Sequence, residues 1–219
     1  MNKSAPVVAI DGPSASGKGT VAQQVAQKLG FNYLDSGALY RIVALAAEKK
    51  NILWHEITRL ADLAKSLHVQ FKNNEIFLDG ICVTQAVRSE NISRGASEVA
   101  VHPELRFALL NLQHNFRLHP GLVADGRDMG SVVFKDAQLK IYLTASVEIR
   151  AQRRFDQLTA RNSSANLDQI LYDLKIRDDR DSQRSAAPLI HTNDALLLNT
   201  DNLSIDAAVN WVIVAYKNL

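Results

Sequence analysis

The sequence predicts an α/β fold: a five-stranded parallel sheet flanked by helices, with a small antiparallel β insert and a helical lid. Three observations lead there. Short apolar runs alternate with segments whose apolar residues recur at helical spacing, the signature of a parallel sheet. A glycine-bracketed loop follows the first apolar run. Residues 68–88 break the alternation with two tight turns between short strands.

The elements follow in order. Residues 6–10, centred on Val7-Val8-Ala9-Ile10, form a first strand. Lys18–Leu29 carries Val21, Ala22, Val25, Ala26 and Leu29 on one helical face, and Gly30 is placed as a C-cap. Phe31–Leu34 is a second strand and Asp35-Ser36-Gly37 its exit turn. A helix then runs through Lys50, with Ser36 able to cap it. Val69-Gln70-Phe71 and Ile76-Phe77-Leu78 alternate around Asn73-Asn74, and Asp79-Gly80 marks a second turn. Helical segments run from about 90 to 118. Leu122-Val123-Ala124 is a third strand, ending at Asp125-Gly126-Arg127-Asp128, and Leu139–Leu143 a fourth. An arginine-rich helical region covers roughly 146–186. Ala195–Leu198 is a fifth strand. Ser204 caps a last helix with Ile205, Val209, Val212, Ile213 and Tyr216 on one face. These make one unit over 1–219: core 1–62, 89–145 and 187–219, insert about 63–88, lid about 146–186.

Composition narrows the function classes. At 219 residues and 47% hydrophobic, the chain can bury a sizeable core. A net charge of +2 is too mild for nucleic acid but suits anionic small ligands. Arginines alternate with aspartates and aromatics are 6%, so there is no basic stripe with interleaved aromatics. Cys82 is the single cysteine, which excludes an intrachain disulfide and fits a reducing cytoplasm. The first strand begins within six residues, so no signal peptide is expected. No apolar run is long enough to span a membrane. The six histidines and Cys82 lack metal-ligand spacing, and Trp54 and Trp211 read as packing residues.

Residues Gly12, Pro13, Ser14, Ala15, Ser16, Gly17, Lys18, Gly19 and Thr20 carry the sharpest signal. A glycine-rich turn between strand and helix points backbone N–H groups at phosphate, adds the positive end of the helix, and sets a lysine on the outer phosphates. This predicts a bound nucleoside triphosphate. The strict pattern has Ser or Thr directly after the lysine; here Gly19 stands there and the hydroxyl comes at Thr20. Ser14 adds a hydroxyl or is simply loop.

Three further groups carry chemistry. Asp125 ends the third strand, where an acid can hold Mg²⁺, or it is an ordinary Asp-Gly turn. Leu167, Ile170, Leu171 and Leu174 form an apolar stripe that continues as Arg177, Asp178, Asp181 and Arg184. The ionic end is either the wall of a polar cavity or a solvated helix end laced with pairs such as Arg177–Asp181. Arg150, Arg153, Arg154 and Arg161 form either a solvated face or a lid that closes over a transferring phosphoryl group.

Four segments together resemble bacterial cytidylate kinases: Ile10 through Thr20; Leu34-Asp35-Ser36-Gly37-Ala38-Leu39-Tyr40-Arg41; Ala124-Asp125-Gly126-Arg127-Asp128-Met129-Gly130; and Ile176-Arg177-Asp178-Asp179-Arg180-Asp181. The likeness spans nearly the whole chain. It implies a P-loop kinase core that moves the γ-phosphoryl of ATP to CMP or dCMP with Mg²⁺, as a cytoplasmic monomer without nucleic-acid or membrane partners. It further implies Ser36 and Arg41 at the monophosphate, Arg127 on the acceptor phosphate, and Ser97, Arg106 and Asp128 on the cytosine edge. Arg177 and Arg184 would hold phosphate and Asp181 the ribose. The catalytic set is then Lys18, Arg127, Arg177, Arg184 and Arg154, with Arg150, Arg153 and Arg154 in the lid and Thr20 and Asp125 at the metal. Residues 15–16 are Ala-Ser where many members have Gly-Ala.

Overall fold

A computed structural model describes residues 4–72, 75–160 and 165–219. The expected Asn73-Asn74 turn and Arg161 lie outside the described residues. The chain opens with β1 (Val7–Asp11), α1 (Lys18–Leu29), β2 (Asn32–Asp35), α2 (Ser36–Lys49) and α3 (Ile57–Lys65). An insert of β3 (Val69–Lys72), β4 (Glu75–Leu78) and β5 (Ile81–Cys82) leads to α4 (Glu90–Val99) and α5 (Pro103–His114). Then come β6 (Leu122–Gly126), β7 (Leu139–Thr144), α6 (Val147–Thr159), α7 (Leu167–Gln183), β8 (Leu196–Asn199) and α8 (Ile205–Lys217).

The five expected core strands form one parallel sheet in the order β2-β6-β1-β7-β8. Alternation along β1 divides the core. Val7 and Ala9 join a cluster with α2, α3, α4 and α5, while Val8 and Ile10 pack with α1 and α8. The sheet is thus covered on both faces, as a parallel sheet must be. Every residue of β1 and β6 is buried, including Asp11 and Asp125 at their carboxyl ends. The expected antiparallel insert is present as β3-β4-β5. Its Ile76 and Leu78 belong to the same apolar cluster as α2, which docks the insert on the core.

Local signals set the ends. Gly30 caps α1 in the left-handed region, its N–H bonded to the carbonyls of Ala26 and Gln27. Ser204 caps α8 by accepting from the Ala207 N–H. The cap of α2 differs from expectation: Asp35, not Ser36, accepts from the Ala38 N–H at 2.9 Å. β2 runs straight into α2, so the carboxylate takes the helix's positive end and Ser36 becomes its first helical residue. The α7 stripe also differs. Leu167 is exposed and Leu174 is the one buried apolar residue, because α7 packs mainly along α6 while its ionic end turns inward with Asp181 buried. Trp54 packs on α4, whereas Trp211 is more open to solvent than a packing residue would be. Among the described residues no helix is long and apolar enough to cross a membrane.

Candidate active site

β1 delivers the glycine-rich loop to the carboxyl edge of the sheet, where parallel α/β folds bind ligands. Gly12 passes so close to β7 that a β-carbon there would lie 1.9 Å from the Leu143 carbonyl oxygen. Gly17 turns left-handed at φ 90°. No side chain caps the N-terminus of α1, which leaves its first N–H groups for a ligand's oxygens. The loop's carbonyls are held from outside. Arg150 donates to the Ser14 carbonyl at 3.1 Å and Arg153 to that of Ser16 at 3.2 Å. The Thr200 hydroxyl donates to the same Ser16 oxygen at 3.3 Å. With those carbonyls turned outward, N–H groups are left to line the concave side. Lys18 folds back over the loop, its Nζ donating to the Pro13 carbonyl at 3.1 Å. Burial, and then the like charge of Arg127, pull this ammonium down to about 7.

Beside Lys18 stand two carboxylates. Asp35 and Asp125 are register partners on β2 and β6. The Tyr33 hydroxyl donates to Asp125 Oδ1 at 2.6 Å. Burial, with the charge of Asp35 added, pushes Asp125 up to about 7. Gly19 lies above it, since a β-carbon there would be 3.8 Å from Asp125 Oδ2, whereas Thr20 is exposed on the first turn of α1. Two carboxylates at one spot, one of them resisting ionisation, beside a phosphate loop fit a hard divalent cation such as Mg²⁺. Asp11 does a different job. Its carboxylate accepts from the Met129 and Gly130 N–H groups, both at 2.8 Å, which fastens the segment after β6 to the phosphate loop's own strand. Burial pushes Asp11 up to about 6.

Across from the loop, α2, α4, α5, α7 and the segment after β6 enclose a narrow cavity of about 50 Å³. Ser36, Ser97, Arg106, Arg127, Asp128, Arg177, Asp181 and Arg184 all line it. Ser36 sits against the backbone of Gly126, where a β-carbon would come within 2.6 Å of its Oγ. Ion pairs fill the space. Arg106 Nη2 donates to Asp128 Oδ2 at 2.5 Å, with its guanidinium over the Tyr40 ring. Arg127 Nε donates to Asp181 Oδ2 at 2.7 Å, and its Nη2 donates to Ser14 Oγ at 2.7 Å, linking this cavity to the phosphate loop. Despite burial, Arg127 and Arg177 hold the Asp181 carboxyl below its usual range. Cation exceeds anion here. The Nε atoms of Arg41 and Arg177 are buried without a hydrogen-bond partner. Burial, and then Arg127, pull Arg177 down to about 10. A guanidinium kept charged under those conditions is a ready seat for an anion.

A family model described as cytidylate kinase matches residues 8–218. The chain belongs to the cytidylate kinase family. A cytidylate kinase of Polynucleobacter asymbioticus is 56% identical, covering 97% of this chain and 97% of its own. One of Paraburkholderia xenovorans is 53% identical over 98% of this chain and 94% of its own. An uncharacterized protein from Eubacterium ventriosum has the same fold with a TM-score of 0.55 at 10% identity, covering 98% of this chain and 99% of that one.

In this member of the cytidylate kinase family, the lid arginines are placed differently from the acceptor set. Arg150 is buried, bonded to the Ala145 and Ser14 carbonyls and to Asp178. Arg153 spends its guanidinium on Ser16 and Thr200. Arg154 pairs with Glu90 of α4, away from the acceptor cavity. The expected Arg177–Asp181 pair gives way to Arg127–Asp181, because the segment after β6 brings Arg127 between α7 and the loop. The sequence assigned no site role to Tyr33, Asp11 or Thr200, and it offered Asp35 as a strand-exit turn residue that, like Asp128, could serve as a base toward an alcohol acceptor, not as a metal ligand. For Asp35 a signal existed: it closes a strand as Asp125 does, and adjacent parallel strands bring such ends together.

Proposed function

We propose that this chain transfers the γ-phosphoryl of ATP to CMP or dCMP, with Gly12–Thr20 seating the donor and the arginines opposite seating the acceptor phosphate. The observation that carries the reading is Arg177: a half-buried arginine whose Nε is buried and unmet, facing the phosphate loop's own partner Arg127. An acceptor nucleotide's phosphate would satisfy Arg41, Arg127 and Arg177 together. The acceptor is already an oxyanion near neutral pH, since a phosphate monoester's second pKa is about 6, so no general base is needed. Positioning and charge neutralisation remain, and Lys18, Arg127, Arg177 and Arg184 supply them. Phosphate oxygens would favour the charged form of Lys18 that burial opposes.

Asp125 and Asp35 would hold Mg²⁺, with the exposed Thr20 reaching it at most from the rim. The ion would neutralise charge shared by the outer phosphates. Arg106 and Asp128 set a donor beside an acceptor. That pattern matches cytosine, which offers ring acceptors next to an amino donor, and it opposes the 4-oxo group of uracil. Asp181, released by Arg127, is free for a ribose hydroxyl. The cavity of about 50 Å³ is smaller than a nucleotide needs. Admitting CMP therefore requires α7, which carries Arg177 and Asp181 on the cavity wall, to move away from α2 and α4, and its return would exclude water. A monomer in the cytoplasm, with nucleotides as its partners, completes the reading.

A coupled ADP-release assay across CMP, dCMP, UMP, AMP, dTMP and shikimate tests it. CMP and dCMP should lead. A higher kcat/KM for AMP or shikimate would overturn the acceptor assignment, and near-full transfer by Lys18→Ala would overturn the donor site.

A further inference from the structure

We infer that Arg180 is a positioning residue for the acceptor base: it sets the Ser97 hydroxyl and through it the preference for cytosine over uracil. The inference rests on the reading above, in which Ser97 faces the base. Arg180 projects from α7, and its Nη1 donates to Ser97 Oγ at 2.9 Å across to α4. Ser97 is buried and lines the acceptor cavity with Ala96 and Ala100. A serine within a helix otherwise tends to turn its hydroxyl back to a carbonyl of its own helix. A guanidinium only donates. The contact therefore occupies a Ser97 lone pair and leaves the hydroxyl proton uncommitted. Cytosine presents an unprotonated ring nitrogen and a carbonyl oxygen that can take that proton. Uracil carries a hydrogen on the same ring nitrogen, so the fixed hydroxyl favours cytosine.

What holds Arg180 in place matters as much. Its other flank opens on a separate cavity of about 730 Å³, bounded in part by Glu48, Ile52, Trp54, Glu98 and His102. No close packing presses the guanidinium from that side. Arg177 repels it from the phosphate clamp, since the two charges oppose one another. Repulsion from the clamp and the bond to Ser97 together fix the side chain between the two cavities. The open flank also means that shortening or neutralising residue 180 leaves no hole in an apolar core.

The test is a double-mutant cycle on the full chain: Arg180→Met, Arg180→Lys, Ser97→Ala and the Arg180→Met/Ser97→Ala pair, assayed with CMP and UMP at saturating ATP. Arg180→Met should raise KM for CMP roughly 5–10-fold, the scale of one hydrogen bond to a charged group. It should leave kcat, KM for ATP and KM for UMP unchanged. Arg180→Lys should restore part of the loss. The pair should be no worse than Ser97→Ala alone, because both changes remove one interaction. Equal weakening of CMP and UMP, or losses that multiply in the pair, would overturn the inference. If Ser97→Ala weakens CMP while Arg180→Met does not, this inference alone falls. If Ser97→Ala leaves CMP unaffected in an active enzyme, the assignment of Ser97 to the base falls first and this inference with it. Should the methionine variant misfold by circular dichroism, the lysine variant carries the comparison: a partial fall of the CMP:UMP ratio that disappears in the Ser97→Ala background is expected, and an unchanged ratio, or equal weakening of CMP and UMP, overturns the inference.

Discussion

Replacing Asp125 with asparagine should stabilise the nucleotide-free protein while disabling it. The carboxylate is buried beside Asp35, and burial first, then that like charge, raise it from 3.8 to about 7. A carboxyl whose folded pKa is raised above its unfolded value binds its proton more tightly when folded. Its contribution to stability is therefore full below about pH 4 and lost as pH rises through 7. A shift of about 3 units at about 1.4 kcal/mol each gives roughly 4 kcal/mol lost by pH 8. The attraction of Lys18 is already contained in that shift, and relaxation around the buried charge leaves about 2–3 kcal/mol of it. Asparagine never ionises, is nearly the same size, and keeps an oxygen for the Tyr33 hydroxyl. At pH 8 without nucleotide, Asp125→Asn should melt roughly 4–10 °C above wild type for a chain of this size. The gain should shrink by pH 5, where wild-type Asp125 is protonated. In the same preparation kcat should drop by about 10²-fold or more, and extra Mg²⁺ should recover little of it. A variant less stable than wild type at pH 8, or a gain that does not vary with pH, would refute the electrostatic account.

Three other outcomes follow from the same geometry. Arg177→Met removes a half-buried cation whose Nε is unpaired, so the free protein should gain about 1 kcal/mol in urea melts while KM for CMP rises about 10²-fold. Ala15→Gly should stabilise the chain by about 0.5–1 kcal/mol, because relief of the φ 59° conformation exceeds the added freedom of the unfolded glycine; thermal melts check it. Arg153→Met frees the Ser16 carbonyl and should raise KM for ATP about 10-fold with KM for CMP unchanged, read from initial rates.

The parallel sheet was legible because its five strands are short apolar runs with helical spacing between them, and all five lie within a residue or two of where that pattern puts them. The phosphate loop was legible because phosphate binding dictates glycine at fixed spacing, as Gly12 against Leu143 and the φ of Gly17 demonstrate. The acceptor cavity was half legible. The turn of the α7 stripe from leucine to arginine and aspartate marked a polar interior, yet spacing within one helix could not tell that Asp181 would pair with Arg127, which lies 54 residues earlier in the chain. The same limit applies to Arg150 and Arg153. A run of arginines gives no direction, and only the placement of α6 against the phosphate loop turns two of them onto carbonyls. Ala15 shows the reverse case: a departure visible in the sequence acquired its physical meaning only from a backbone angle.

The charges that the fold leaves unsettled are arranged in a way that stability alone would not select. Asp125 resists ionisation on one side of the loop, and Arg177 resists being a cation on the other. Each would be eased by pairing, and the fold spends its available partner elsewhere, giving Asp181 to Arg127. A divalent cation beside Asp125 and an anionic phosphate beside Arg177 would relieve both at once. Neither relieves the other's site alone. Binding of the metal-bound donor and of the acceptor therefore lowers the electrostatic cost of the same closed arrangement, and ATP and CMP should bind with positive coupling. Because the coupling runs through that shared arrangement and the Asp125 charge supplies the donor's share of its cost, Asp125→Asn should abolish the coupling with little change in the affinity for CMP alone. An unchanged coupling in that variant, measured by titrating CMP with and without a non-hydrolysable ATP analogue, would mean that the two sites communicate through lid closure rather than through charge.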